Sequence, residues 1–314
     1  MPRTKAERAH PPLDCAVIGA GPAGLTAATY LARFRRNVRV FDDGQSRARY
    51  IPVSHNCPGF PFGVSGIDLL GKMREQALCY GAELVDTRVD RLERAEDGFV
   101  IGAGAHTCMA RTVLFASGIR DRLPALAQIE RGIDDAVVRI CAICDGYEAR
   151  DDRIAVYGPA ATVLQHACFL RTFSRRVTAV LSAPGLPDAA ASLRARELGV
   201  RLLAVPEHID LTQDSAQRIV ACRIIWSERE EIFDTLYPVL GAEPKATLAR
   251  ALGARCDGND ELLVDAHMQT SIDGLYAAGD VVSALNQISV ATGQAAVAAT
   301  AIHNRLPNNA VQTG

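Results

Sequence analysis

One pattern of strand, turn, helix and strand occurs twice in this chain, and it limits the possible folds more than any other feature. Near the start, the apolar run Cys15-Ala16-Val17-Ile18 leads into Gly19-Ala20-Gly21-Pro22-Ala23-Gly24, then into Leu25, Ala28, Leu31 and Ala32 at helical spacing. Such a run reads as a buried parallel strand, and a G-x-G-x-x-G turn that opens a helix reads as a dinucleotide-binding turn. Gly19 makes the tight turn, Gly21 lets bare main chain approach a diphosphate, and Gly24 lets helix pack on strand. The helix N-terminus adds free N–H groups and the positive end of its dipole. A second strand, Val38-Arg39-Val40-Phe41, ends in Asp42, placed where such folds put the acid that binds a ribose hydroxyl.

The second copy lies 139 positions on, the distance from Gly19 to Gly158. At that offset Ala155-Val156 match Ala16-Val17, Leu170 matches Leu31, Phe173 matches Phe34, Arg175 matches Arg36 and Val177 matches Val38. Two copies of one βαβ scaffold imply an α/β chain built on two Rossmann-like nuclei. The ligand positions differ: Gly21 becomes Ala160, Gly24 becomes Val163 and Asp42 becomes Leu181. A Cβ at Ala160 stands where a diphosphate needs bare main chain. Ser182-Ala183-Pro184-Gly185 offers neither an acid for a 2′-hydroxyl nor an arginine for a 2′-phosphate. The second copy therefore reads as packing without dinucleotide binding, with a divergent but working nicotinamide site as the alternative.

At 314 residues the chain has room for two domains with proper cores. A net charge of -2 and an aromatic content of 5% argue against a nucleic-acid or anionic membrane surface. No apolar run is long enough to span a bilayer, and residues 1–12 are basic and polar, a loose tail and not a secretory leader. These features predict a cytoplasmic location. Of nine cysteines, seven are scattered and are expected to be small buried hydrophobes. Cys141-Ala142-Ile143-Cys144 is the exception. With no second C-x-x-C or paired histidines to complete a zinc site, it reads as a reversible disulfide, and no metal is expected. The histidines are isolated, although His55 could touch a cofactor; Phe169, Phe173 and Trp226 are expected in the core.

Near the C-terminus, Gly274-Leu275-Tyr276-Ala277-Ala278-Gly279-Asp280 is a short apolar strand running into Gly-Asp. Asn286-Gln287-Ile288 then opens an alanine-rich helix. An aspartate there can accept bonds from a ribityl chain, and the helix start can favour negative charge on a reduced flavin. G-A-G-P-A-G, C-A-I-C-D-G and G-L-Y-A-A-G-D, in this order and spacing, resemble the low-molecular-weight thioredoxin reductases and their flavoprotein relatives. Asn56-Cys57-Pro58-Gly59 is similar to that family's loop over the flavin, and Ala116-Ser117-Gly118 to its A-T-G strand end.

The resemblance implies two Rossmann-like domains of the three-layer ββα type, the second inserted in the first. Residues 13–120 with 245–306 would bind FAD, 121–244 would form the insert carrying the C-x-x-C, and 307–314 a tail. It further implies cofactor contacts from Gly19, Gly21, Pro22, Ala23, Gly24, Asp42, Asn56, Ala116, Gly118, Gly279, Asp280, Asn286, Gln287 and Ile288. Cys144 would face the flavin, Cys141 would exchange with an outside disulfide, and Asp145 would move protons. Implied partners are a thioredoxin-like protein or a small dithiol or disulfide, and a second copy of the chain as a homodimer. The family's basic NADPH segment is missing here, and its Arg-Gln pair is Asn286-Gln287. NADPH use is thus left open, with ferredoxin, another flavoprotein or oxygen as the exchange partner for electrons. The expected function is an FAD-dependent dithiol–disulfide oxidoreductase. The alternatives are an NADPH-dependent thioredoxin reductase and a non-catalytic flavin–disulfide sensor.

Overall fold

The structure is a computed structural model that describes residues 11–282 and 285–310. Residues 1–10 and 311–314 of the two expected tails lie outside the described residues. The chain divides into two compact units. One takes the chain up to Ala48, Asp68–Ile119 and everything from Pro244; the other takes Arg49–Ile67 and Arg120–Glu243.

In the first unit, strand Leu13–Ile18 lies between Val38–Phe41 and His106–Phe115, parallel to both. Glu83–Val85 extends the sheet on one side and Leu275–Ala277 pairs parallel with the end of His106–Phe115. The other end of that long strand joins an antiparallel meander with Gly98–Ala103 and Arg91–Ala95. Helices Pro22–Arg33 and Ile288–Arg305 share a core with one sheet face, where Leu25, Leu31, Ala295 and Ile302 meet Val17 and Leu114. Phe41, Phe99, Phe115 and Leu262 fill the opposite face. Arg36, nearly fully buried, closes the C-terminal end of the second helix: it donates to His303 O (3.0 Å), Pro307 O (2.9 Å) and His303 Nδ1 (3.0 Å).

The second unit has a parallel sheet in the order Arg201–Leu203, Arg176–Leu181, Arg153–Gly158, Thr235–Pro238. Helix Val163–Leu170 packs through Val163, Leu164, Ala167 and Leu170 on one face of it. The other face meets the antiparallel meander of His208–Gln213, Ile219–Trp226 and Arg229–Phe233. Helix, parallel sheet and meander make the expected three layers.

The repeat extends to strand register. Cys15 pairs with Val38 in the first unit and Ile154 with Val177 in the second, so both pairs obey the offset of the sequence match. A shared register is the physical meaning of two copies, because a slip of one residue would turn every side chain to the wrong face.

Two expectations need correction. Of the scattered cysteines, Cys15, Cys57 and Cys222 are buried, but Cys108, Cys168 and Cys256 are only partly so, and Cys79 is exposed at the end of helix Gly66–Cys79. Phe169 is 42% exposed because Leu164, Ala167 and Leu170 already occupy the inner side of its helix. Trp226 is half-buried and donates from Nε1 to Ala204 O (2.9 Å), and Phe173 is also half-buried.

Candidate active site

The first glycine turn has little room for side chains except at one position. A Cβ on Gly19, whose φ is +106, would lie 2.4 Å from Ala116 O, and one on Gly24 would lie 1.9 Å from Gly19 O. These contacts press Ala116-Ser117-Gly118 against the turn, and Ala116 N–H donates to Ile18 O (2.8 Å). Gly21 is different: a Cβ there would meet only Ser46 Oγ, at 3.3 Å. Helix Pro22–Arg33 starts with proline, has no side-chain cap, and bonds Leu25 N–H to Gly21 O (3.0 Å). The N–H groups of Ala23 and Gly24 precede that bond, as at any helix start.

Gly279 comes to the same place. Its φ is +80, and an added Cβ would lie 3.0 Å from Ala23 Cβ and 3.6 Å from Ala291 Cβ, so the Gly-Asp turn sits between the two helix starts. Gly279 N–H donates to Gln294 Oε1 (2.8 Å). The Asp280 carboxylate is 3.8 Å from the Arg47 guanidinium, both about four-fifths buried. Asn286 Oδ1 is buried with no hydrogen-bond partner, and Gln287 precedes Ile288, the first residue of the long helix. Asp42 Oδ1 accepts from Gly44 N–H (2.9 Å), and its Oδ2 lies 3.4 Å from Arg74 Nη1. A cradle that only a glycine leaves open, an uncapped helix start and an orphaned buried acceptor fit a bound flavin dinucleotide. Ser46, Arg47, Arg74 and Gln294 were not singled out from sequence; the arginines after the second strand were the available signal.

Asn56 belongs to the other unit. Its segment, Arg49–Ile67, joins that unit's core through Tyr50, which packs against the cluster that includes Ile133, Leu236 and Phe233. There Ser54 Oγ donates to Asn56 Oδ1 (3.1 Å), and His55 stacks so close to Gly63 that a Cβ would lie 2.9 Å from the imidazole.

In the second copy the turn is closed by its own chain. A Cβ on Gly158 would lie 2.5 Å from Val239 Cγ2, and one on Gly185 would lie 3.2 Å from the methyl of Ala160. Thr162 and Val163 N–H both donate to Pro159 O (3.1 and 3.0 Å), so amides at this helix start are used within the turn. Ser182 N–H donates to Gly158 O (2.9 Å), tying the following loop to the turn.

Cys141 and Cys144 are joined in a disulfide with Cα atoms 5.3 Å apart, at the start of the short helix Ala142–Asp145. Cys144 N–H donates to Cys141 Sγ (3.2 Å), a contact that favours a thiolate there once the bond opens. Gly146 lets the turn close against Phe173, whose ring would lie 2.6 Å from an added Cβ. Asp145 is held on both carboxyl oxygens. Tyr237 OH donates to Oδ1 (2.8 Å), and Arg139 Nη1 lies 3.4 Å from Oδ2. Burial raises the carboxyl above its ordinary range against the pull of Arg139 and Tyr237, while Glu148 pushes it further up. Burial and Asp145 together raise the Tyr237 hydroxyl well above its usual value. Neither Arg139 nor Tyr237 stood out in the sequence, since Tyr237 follows Asp145 by 92 residues.

Among the described residues no cluster of His, Cys, Asp or Glu could hold a metal ion, and no helix is long and apolar enough to cross a membrane. Residues 13–295 match the profile of the pyridine nucleotide-disulphide oxidoreductases. A thioredoxin reductase of Mycolicibacterium smegmatis is 31% identical over 276 residues, 86% of this chain and 88% of that one. One of Helicobacter pylori is 26% identical over 95% of this chain and 100% of its own length. The crystal structure of a thioredoxin reductase from Streptococcus pyogenes superposes with a TM-score of 0.85 at 26% identity, covering 93% of this chain and 97% of that one.

Proposed function

Because the chain belongs to the pyridine nucleotide-disulphide oxidoreductase family and is a thioredoxin-reductase-like, FAD-dependent disulfide oxidoreductase, we propose that it passes electrons through Cys141–Cys144 without efficient use of NADPH. Bound FAD supplies two-electron chemistry toward the disulfide. Gly21 and the start of helix Pro22–Arg33 receive its diphosphate, Asp42 a ribose, Asp280 the ribityl chain, and Asn286 with Gln287 and Ile288 the isoalloxazine end. Pro22, Ala23, Ala116, Gly118 and Gly279 shape that cradle. Residues 13–120 with 245–306 are the flavin domain and 121–244 the insert, except that Arg49–Ile67, within the first range, groups with the insert.

Within the insert, Cys144 is the thiol that exchanges electrons with the flavin, Cys141 exchanges with an outside thiol or disulfide, and Asp145 moves protons as sulfur and flavin change state. The outside molecule is a thioredoxin-like protein or a small dithiol, met in the cytoplasm by a homodimer. Electrons enter from ferredoxin or another flavoprotein, or leave toward oxygen. The observation that carries the reading is the closed second turn, where Gly185 and the Ala160 methyl meet over a helix start whose amides bond Pro159. NADPH-dependent thioredoxin reduction is the second reading, supported by the likeness to thioredoxin reductases and by membership of a pyridine-nucleotide family.

Anaerobic mixing of the holoenzyme with NADPH and with NADH decides between them. Slow or absent loss of the flavin band at about 450 nm is expected; rapid bleaching at micromolar coenzyme overturns the proposal. Serine variants of Cys141 and Cys144 should lose turnover, and unchanged turnover with every donor and disulfide tried would remove the redox role.

A further inference from the structure

The redox turn is a weak anchor for its own acid. Helix Ala142–Asp145 has only four residues, and the disulfide that closes it must open in each cycle. Asp145 nevertheless needs to stay put, because a proton donor works only within hydrogen-bond reach of its target. Its anchors come from outside the turn. Tyr237 rises from strand Thr235–Pro238, the last strand of the unit's parallel sheet, paired with Arg153–Gly158, and is 1% exposed. Arg139 immediately precedes the turn, with a side chain 13% exposed and held to strand Thr235–Pro238 through its main chain, Arg139 N–H to Leu236 O (2.9 Å). One carboxyl oxygen takes the phenol and the other faces the guanidinium.

We infer that Arg139 and Tyr237 are positioning residues that hold the Asp145 carboxyl in place when the disulfide opens and set the pH at which it ionises. The inference rests on reading Cys141–Cys144 as the working redox pair. Both groups favour the ionised carboxylate, one by charge and one by hydrogen bonding. Burial and Glu148 oppose them, and Asp152, bound by Thr235 Oγ1 (2.7 Å), adds negative charge on the Tyr237 side. When a dithiol such as dithiothreitol reduces the protein, the Cys141–Cys144 bond breaks and the reductant becomes a cyclic disulfide. Two thiols remain on the protein. If one then ionises, its proton can pass to an Asp145 carboxylate, but only if Asp145 is not already protonated. Arg139 and Tyr237 keep that acceptor available.

The test is a direct titration of the Asp145 side chain by carbon NMR in aspartate-labelled holoenzyme, with Asp145→Asn assigning the signal. Arg139→Met should raise its midpoint by about one to three pH units, the usual effect of an opposite charge at this range. Arg139→Lys should recover at least half of that shift. Tyr237→Phe should raise it by about one unit, a hydrogen bond to a charged group being worth that much. In the dithiothreitol-reduced protein, the pH profile of thiol alkylation by iodoacetamide should move in parallel. Midpoints in Arg139→Met and Tyr237→Phe that coincide with the parent overturn the inference, as does a lysine variant that behaves like methionine. Should Tyr237→Phe fail to fold, the Arg139 pair decides alone. The titration needs no turnover, so it fails or succeeds separately from the assigned redox function.

Discussion

Gly21 and Gly24 are three residues apart in one turn, yet alanine at each should have opposite consequences. At Gly24 the new Cβ lies 1.9 Å from Gly19 O, whereas real contacts of this kind do not fall below 3.0 Å. Helix and turn must therefore separate by more than about 1 Å. The carbonyl has no room to yield, because Gly19 is itself pressed on Ala116 O and its N–H donates to Phe41 O (2.8 Å). Overpacking of this kind costs about 1–3 kcal/mol, here at the upper end, and alanine's better helix propensity returns about 1 kcal/mol. A net loss of about 2 kcal/mol lowers the melting temperature of the apoprotein by about 4–8 °C.

At Gly21 the backbone has φ -76 and ψ -175, which alanine adopts without strain, and only Ser46 Oγ is near. Gly21→Ala should cost less than about 1 kcal/mol, the difference between glycine and alanine as a helix cap. Its methyl instead occupies the approach to the diphosphate, so FAD affinity should fall at least about tenfold, equivalent to about 1.4 kcal/mol. Thermal unfolding of the apoproteins and fluorescence titration with FAD read the two effects separately. A Gly24→Ala protein as stable as the parent, or a Gly21→Ala protein that binds FAD with the parent's Kd, refutes the assignment of roles.

Cys15 and Cys222 are buried thiols pushed up from 9.0 to about 12, chiefly by desolvation. A folded value above the unfolded one means that their stabilisation is complete below pH 9 and is lost as pH rises from there toward 12. Each should steepen the alkaline loss of stability by about 1.4 kcal/mol per pH unit. Urea unfolding between pH 8 and 10.5 should show a shallower slope in Cys15→Ala and in Cys222→Ala; parallel curves would contradict the burial argument. Arg36→Met removes three hydrogen bonds and a cation from a helix C-terminus, and should destabilise the protein by about 2–4 kcal/mol in thermal unfolding. An unchanged melting temperature would show that His303 O and Pro307 O find water equally well. The same variant should raise the His303 midpoint, since burial first and the Arg36 charge second now hold it low.

The strand-and-glycine pattern was legible because it is local: period, turn and helix start all lie within about thirty residues, as in any βαβ nucleus. The 139-residue offset even carried the register of the strand pairs, Cys15 with Val38 and Ile154 with Val177. Cysteine burial was less legible, since composition says that cysteine is apolar but not which side of its helix Cys79 occupies. The companions of the site were hidden altogether. Arg47 reaches Asp280 across more than two hundred residues, and Tyr237 reaches Asp145 across 92.

Residue order therefore sufficed for the two nucleotide folds, for the turn that keeps bare main chain and for the cysteine pair, because each is encoded by spacing within one element or its neighbour. Which buried arginine and phenol hold the acid, and which unit claims Arg49–Ile67, came from packing. Such contacts bring together positions whose separation along the chain has no period, and only the closed core selects among them.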